Sequence, residues 1–309
     1  MIIIGEKING SIPKTGAAIA ARDADFIRDL AKRQSEAGAN FIDVCASVDQ
    51  EKEMETMKWL IDLVQEVTDT PIAIDSPNAQ TCVDCIPFCK RPGIINSVSG
   101  EGDKLDTVFP VIADTKWDCI ALLSDDTGIP KCAEDRLRVF DKIMAKAKEY
   151  NIAPNRLHID PLVEMLCTSE DGIAMVVEVM TEIKKRYPTI HITGAASNIS
   201  FNLPARKLLN QVFITLSMNA GMDSAILDPL DRGMLGTIYA TEAMLGLDDY
   251  CIEYIHAFRE GRIGPLPKAK YDLLFLRFHP IICICGIHRL CEQGPDTKYF
   301  RRIQPCLLF

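Results

Sequence analysis

The stretch Thr189-Ile190-His191-Ile192-Thr193-Gly194-Ala195-Ala196-Ser197-Asn198-Ile199-Ser200-Phe201-Asn202 decides how the chain is read. A β-like run, Thr189 to Thr193, passes into small and amide residues. Pro204 and Arg206 then accompany a helical run that begins near Ala205. Small polar side chains therefore sit at a strand-to-helix turn. In a barrel of repeating strand and helix, chemistry is built on such turns. Asn198 is the leading candidate, because an amide can donate to one atom and accept from another without changing charge. Ser197, Asn198 and Ser200 also fit a plain reading as caps of the next helix.

The same unit recurs along the chain. Short β-like runs are expected at Ile2–Ile4, Asn40–Cys45, Pro71–Ile74, Gly93–Ile95, Cys119–Leu123, Leu157–Ile159, Ile190–Thr193 and Ser224–Leu227. Helical patterns lie between them: 24–37, 51–67, 80–90, 104–114, 134–149, 170–186, 205–220 and 234–245, with one more over 248–259. In 51–67, for example, Met54, Met57, Leu60, Ile61 and Val64 recur at helical spacing. Regular alternation predicts a parallel sheet. Eight units of this length fit an α/β fold of the (β/α)8 TIM barrel type. An open doubly wound sheet is the runner-up, but neither G-x-G-x-x-G after a strand nor G-x-x-x-x-G-K-[ST] occurs.

Two domains are expected: the barrel over 1–262, and a short C-terminal extension over 263–309 with no assigned function. The extension opens with the linker-like Gly264-Pro265-Leu266-Pro267 and gathers His279, Cys283, Cys285, His288, Cys291 and Cys306. Its Cys-x-Cys followed by an isolated Cys lacks a paired zinc-knuckle spacing, so no metal is assigned. Cys82, Cys85 and Cys89 fall on one helical face and read as buried core. A net charge of −9 argues against nucleic acid or an anionic membrane as partner. No signal-like leader is visible, and no apolar run reaches the ~20 residues that span a bilayer. The chain reads as cytoplasmic, with its 12 cysteines as thiols.

Polar residues collect where strands end. Ile74-Asp75, Ile95-Asn96 and Ile159-Asp160 share one pattern, Glu6 follows the first strand, Asp43 ends the second and Asp228 follows the eighth. A single Asp there is an ordinary turn former. Several together point to an active face. The ring is rich in acceptors and amides, and it shows neither a metal-binding His cluster nor a Ser-His-Asp arrangement. His158 and His191 lie inside predicted strands and read as core or bottom-of-strand residues. A ligand with several N–H donors, such as an aminopyrimidine edge, suits these carboxylates.

Six motifs in register then carry a resemblance: Ile4-Gly5-Glu6-Lys7-Ile8-Asn9-Gly10, Ile74-Asp75-Ser76, Ile95-Asn96-Ser97, Thr127-Gly128-Ile129-Pro130, Ile159-Asp160-Pro161-Leu162 and Ser197-Asn198-Ile199-Ser200. From Met1 to about Arg262 the chain resembles the methyltetrahydrofolate:corrinoid protein methyltransferases of the pterin-binding barrel superfamily. It looks closest to members that serve anaerobic one-carbon and demethylation metabolism. The resemblance implies a (β/α)8 barrel, commonly homodimeric. It also implies that a methyl group moves between N5 of tetrahydrofolate and the cobalt of cobalamin.

Carried over by motif, Asp75, Asn96 and Asp160 would bind the pterin, and Asn198 would reach N5 as the catalytic residue. Glu6, Ser197 and Arg206 are further substrate-binding carry-overs. The corrinoid would belong to a separate protein, because Asp-x-His-x-x-Gly is absent. Asp43-Val44-Cys45-Ala46-Ser47 departs from the family pattern and leaves the role of Asp43 open. Two other readings stand beside this one: a dihydropteroate synthase-like enzyme and a non-catalytic folate-binding subunit. The first would need an Asn-x-Thr-x-Asp-Ser-type loop where Glu6-Lys7-Ile8-Asn9 stands.

Overall fold

The apolar runs form strands, all of them parallel. In the computed structural model, which describes residues 1–265, these are β1 (Ile2–Asn9), β2 (Phe41–Cys45), β3 (Ile72–Asp75), β4 (Ile94–Gly100), β5 (Asp118–Asp125), β6 (Leu157–Asp160), β7 (His191–Ile192) and β8 (Ser224–Leu227). Each strand pairs with its neighbour in sequence from β1 to β7, and β1 also pairs with β8. The ring closes between β7 and β8. There Ile226 N donates to Gly194 O at 3.0 Å and Ala196 N donates to Ile226 O at 3.1 Å. The expected TIM barrel is therefore the fold, and the open doubly wound sheet is not.

Helices run between the strands: α1 (Pro13–Ala20), α2 (Ala24–Glu36), α3 (Gln50–Val67), α4 (Ala79–Cys85), α5 (Lys104–Ile112), α6 (Ala133–Glu149), α7 (Ala174–Arg186), α8 (Arg206–Asn219), α9 (Arg232–Met244) and α10 (Ile252–Arg259). No helix among the described residues is long and apolar enough to cross a membrane. The barrel, Met1–Gly264, is one compact unit. The tail cysteines and histidines of the sequence reading lie outside the described residues.

Strand side chains alternate between two faces, and this alternation positions the site. Ile3, Ile42, Ile74, Ile95, Ile159 and Leu227 belong to the large core under the helices. Ile4, Ala73, Ile94 and Ile120 form a second, interior cluster with Phe41, Leu122 and Ile226. Two residues beyond that apolar layer, on the same inward face, stand Glu6, Asp43, Asp75, Asn96 and Asp228. On β6 the inward pair is His158 and Asp160. Because the strands are parallel, this polar layer sits at one mouth of the barrel.

Among the local features that differ from the sequence reading, three are set by identifiable residues. β1 continues past Ile4 to Asn9 through a bulge: Gly5 pairs with Ile42 and Ile8 with Val44, so one extra residue is accommodated. Glu6 therefore lies within the strand rather than after it. Gly10 allows β1 to end against β2, since a Cβ there would sit 2.1 Å from Ala46 O. An additional helix, α1, begins with Pro13 at its first turn, where the missing N–H costs nothing. Finally, α4 stops at Cys85, short of the expected Lys90. Pro87 cannot donate into a continuing helix, and Ile86–Phe88 tightens to a 3-10 turn. Cys82 and Cys85 are buried in the core and Cys89 packs against it, as their spacing indicated.

Candidate functional site

β2, β3 and β4 bring three of the inward polar residues together. Asn96 Nδ2 donates to Asp43 Oδ1 at 3.1 Å, and both side chains are buried. Burial, reinforced by the charge of Asp75, pushes the Asp43 carboxyl well above the usual range. The Asn96 hydrogen bond opposes that rise. Asp75 itself is raised to about 6, chiefly by burial. Close by, the Cys45 thiol is pushed up to about 12 by burial and the Asp75 charge.

A buried carboxylate holds this corner from behind. Glu53, in the first turn of α3, accepts from Ser76 Oγ at 2.7 Å and from Thr81 Oγ1 at 3.0 Å. Ser76 N donates to Asn96 O at 3.0 Å. The segment after Asp75 is thus tied to both α3 and β4. A polar cleft of about 590 Å3 opens beside it, bordered by Val48, Glu53, Pro77, Asn78 and Lys104.

Across the mouth, Asp160 ends β6 and is 7% exposed. Its Oδ1 accepts from Leu162 N at 2.7 Å. Its Oδ2 has no hydrogen-bond partner among the described residues. Burial raises this carboxyl to about 6, opposed by the Leu162 hydrogen bond and the charge of Arg136. Glu6 is raised to about 7 by burial and by Asp228, against the opposing charges of Lys7 and Arg206. Lys7 Nζ pairs with Asp228 at 3.1 Å. A small crevice bordered by Glu6, Ala196, Ser197, Asn210 and Asp228 joins β1 and β8 to the turn after β7.

That turn is a 3-10 segment, Asn198–Ser200, and α8 does not begin until Arg206, with Ala205 as its N-cap at φ 53°. No side chain of Ser197, Asn198 or Ser200 caps α8. The plain capping reading therefore fails. Asn198 is exposed at the mouth, and its side chain makes no hydrogen bond among the described residues. Ser197 is half-buried. Arg206 is committed to the turn itself: it donates to Ser197 O at 2.8 Å and to Ser200 Oγ at 3.0 Å, and its guanidinium lies 5.6 Å from the Phe201 ring centre. Arg206 thus shapes the loop that presents Asn198.

Of the sequence candidates, Asp75 and Asn96 meet through Asp43. Glu6 and Ser197 share a crevice, Asp160 stands alone on β6, and Asn198 is free at the rim. The sequence placed Asp43 in the strand-end ring but left its role open, and it did not single out Glu53. Glu53 gave no signal, since it reads as one acid among several on a helix. His158 and His191 lie at the other end of the barrel, as expected. His158 Nδ1 lies 2.9 Å from Ser224 Oγ, the two imidazoles stack at 4.6 Å, and His191 Nδ1 lies 3.1 Å from Asp223. Among the described residues, no group of three or more His, Cys, Asp or Glu is placed to hold a metal.

The profile of the pterin binding enzyme family matches residues 13–228. A methylcorrinoid:tetrahydrofolate methyltransferase of Eubacterium limosum is 49% identical over 268 residues, covering 86% of this chain and 99% of that protein. Methionine synthase of Mycobacterium leprae is 29% identical over 240 residues, which is 73% of this chain but 20% of that longer protein. Among solved structures, dihydropteroate synthase of Xanthomonas albilineans superposes with a TM-score of 0.61 over 80% of this chain and 92% of its own. At 17% identity, that likeness concerns the fold alone. With its inward ring of buried acids, its free rim amide and these relatives, the chain belongs to the pterin-binding enzyme family, in the group of methyltetrahydrofolate:corrinoid methyltransferases.

Proposed function

We propose that this barrel binds tetrahydrofolate or N5-methyltetrahydrofolate and transfers the methyl group between N5 and the cobalt of a corrinoid carried by a separate protein. The observation that carries this reading is the buried acceptor layer at the mouth. Asp75 and Asp160 are enclosed carboxyls raised to about 6. Neither has a cationic side chain bonded to it among the described residues. Such groups gain most from a ligand that brings its own N–H donors, as the aminopyrimidine edge of a pterin does. Asn96, fixed by Asp43, adds an oriented amide carbonyl.

Asn198 supplies the chemistry. A methyl group on N5 is bound to a poor leaving group. Displacing it requires N5 to gain positive charge or a proton, and the reverse transfer requires N5 to lose one. A hydrogen bond to N5 that strengthens in the transition state lowers the barrier in both directions. The amide has no protein partner to give up before it does so. The corrinoid supplies the cobalt that takes or gives the methyl group, and the open mouth leaves room for its carrier. Glu6, raised to about 7, stands near the turn as a second group able to hold a proton.

Dihydropteroate synthase activity ranks below this reading, since the likeness to those enzymes is one of fold. A homodimer is consistent with α8. Its Leu208, Val212 and Leu216 recur every fourth residue and are 62%, 50% and 47% exposed, an apolar stripe on a solvent-facing helix. A cytoplasmic location fits a reaction that depends on a reduced cobalt.

The test is spectral. Under anaerobic conditions the protein is mixed with methylcobalamin and tetrahydrofolate, and then with cob(I)alamin and methyltetrahydrofolate. The proposal expects interconversion of the cobalt spectra in at least one direction. Tight folate binding with no exchange, even in the presence of methylated corrinoid protein, would leave a binding subunit only. Absence of folate binding would overturn the site itself.

A further inference from the structure

Two of the motif loops are joined by a residue that no motif contains. Arg136 lies in the first turn of α6, and its side chain is fully buried. A buried guanidinium must satisfy its donors inside the protein. Arg136 does so on two loops at once. Nε donates to Pro130 O at 3.2 Å, at the end of Thr127-Gly128-Ile129-Pro130. Nη1 donates to Pro161 O and, at 2.7 Å, to Leu162 O. Nη2 donates to Glu164 Oε2 at 2.7 Å. Pro161 and Leu162 are the residues directly after Asp160. Leu162 has φ 66°, a left-handed conformation unfavourable for a leucine, and its N–H is the donor to Asp160 Oδ1.

We infer that Arg136 is a positioning residue of the pterin site: its buried guanidinium clamps the loop after β6 onto the loop after β5 and thereby fixes the direction of the Asp160 carboxylate. The argument is geometric. One planar group grips consecutive carbonyls of a turn whose conformation is otherwise disfavoured. The next amide of the same turn holds Asp160 Oδ1, leaving Oδ2 free for ligand. Lysine cannot replace the fork, because an ammonium is a point donor without a plane. The clamp also gives the Thr127–Pro130 motif a part to play. That loop is the far anchor of the turn that presents Asp160. The inference rests on the proposed folate site, and its test separates the two.

The test is a double-mutant cycle on folate affinity with Arg136→Lys and Asp160→Asn, in the full-length chain. Arg136→Lys alone should weaken tetrahydrofolate binding by about tenfold or more, the scale of one misdirected charge-assisted hydrogen bond. In the Asp160→Asn background the same substitution should change affinity by less than about twofold, because the group through which Arg136 acts is gone. A residue that merely supports the fold would lower the melting temperature and leave the dissociation constant alone. Should Arg136→Lys fail to fold, Glu164→Gln, which removes the carboxylate partner of Nη2 and leaves the guanidinium in place, is carried through the same cycle with the same expected coupling. Equal losses in both backgrounds, or unchanged affinity in a folded single variant, would overturn the clamp. If the unsubstituted chain binds no folate, the failure lies with the site and not with Arg136.

Discussion

The raised carboxyls make folate affinity depend on pH in a way the structure fixes. Asp160 is held at about 6 in the free protein, principally by burial. A carboxylate accepts the ligand's N–H groups, and the neutral acid presents a competing O–H instead. Ligand binding therefore selects the ionised form and lowers the pKa, and a proton must leave whenever the free group carries one. At about pH 7.5 Asp160 is almost wholly ionised and affinity is at its plateau. At about pH 5 only about one molecule in eleven is ionised, so the apparent affinity falls about tenfold through this group alone. Asp75, also raised to about 6, adds a second factor of similar size. Together they predict a loss on the order of a hundredfold between about pH 7.5 and about pH 5.

Isothermal titration calorimetry with tetrahydrofolate, under anaerobic conditions, reads both consequences. The dissociation constant should rise as pH falls through 6. At about pH 6, with each group half-protonated, repeating the titration in buffers of different ionisation enthalpy should give release of about one proton per folate bound. Asp160→Asn should remove one of the two factors and halve the proton release. An affinity that stays flat from about pH 7.5 to about pH 5, or binding without proton release, would refute the reasoning. In either case Asp75 and Asp160 would not be the ligand's acceptors.

Four further outcomes are expected. Asn198→Ala should lower kcat by about a hundredfold while changing the folate dissociation constant by less than about threefold, the pattern of a group that acts in the transition state; equal effects on both constants in steady-state and binding assays would contradict it. His158 is depressed to about 3 by burial and by His191, so it is neutral in the fold; stability it confers is present above the ordinary histidine range and lost as pH falls toward 3, at up to about 1.4 kcal/mol per pH unit, which chemical denaturation at stepped pH would detect and His158→Gln should abolish. Glu53→Leu should cost about 2–4 kcal/mol in denaturant unfolding, because the Ser76 and Thr81 hydroxyls lose a charged acceptor; a cost within error of zero would mean both had found new partners. Val212→Asp with Leu216→Asp should turn a dimer into a folded monomer by sedimentation, and a native chain that is already monomeric would remove the α8 interface.

How much of this could be read beforehand depended on the length scale of the signal. The barrel was legible because its evidence is periodic and repeated. Ile74-Asp75, Ile95-Asn96 and Ile159-Asp160 each announce a strand and its inward polar end with two residues. Bulges carry no such signature, so β1 was cut at Ile4 and Glu6 was placed beyond it; the extra residue at Glu6-Lys7 is fixed only by pairing with β2. Asn198 was legible as an amide at a turn, yet whether it capped a helix depended on where α8 starts, which is past the turn that Arg206 ties back. Arg136 and Glu53 were illegible for a different reason. Each is a charged residue on an amphipathic helix, normally a solvated position, and only three-dimensional burial shows that its partners come from elsewhere in the chain.

Asp223, at the N-terminal end of the barrel, and the mouth carboxyls are held in opposite states. At the N-terminal end burial alone would raise Asp223, yet hydrogen bonds from His191 and Lys184 hold it down at about 2. That network is complete within the protein. At the C-terminal end Asp75 and Asp160 sit at about 6 because nothing comparable neutralises them. By linkage, a carboxyl raised from its ordinary value near 4 favours the fold at low pH and costs stability as pH rises through 6, on the order of 3 kcal/mol for a shift of about two units. The fold carries that cost at neutral pH. A mouth completed by its own cations would be more stable and would have no acceptors left for a ligand. On the proposed reading, the unpaired acceptors at the mouth are the ones a ligand completes, and their deficit of N–H donors suits a flat heterocycle whose edge supplies them.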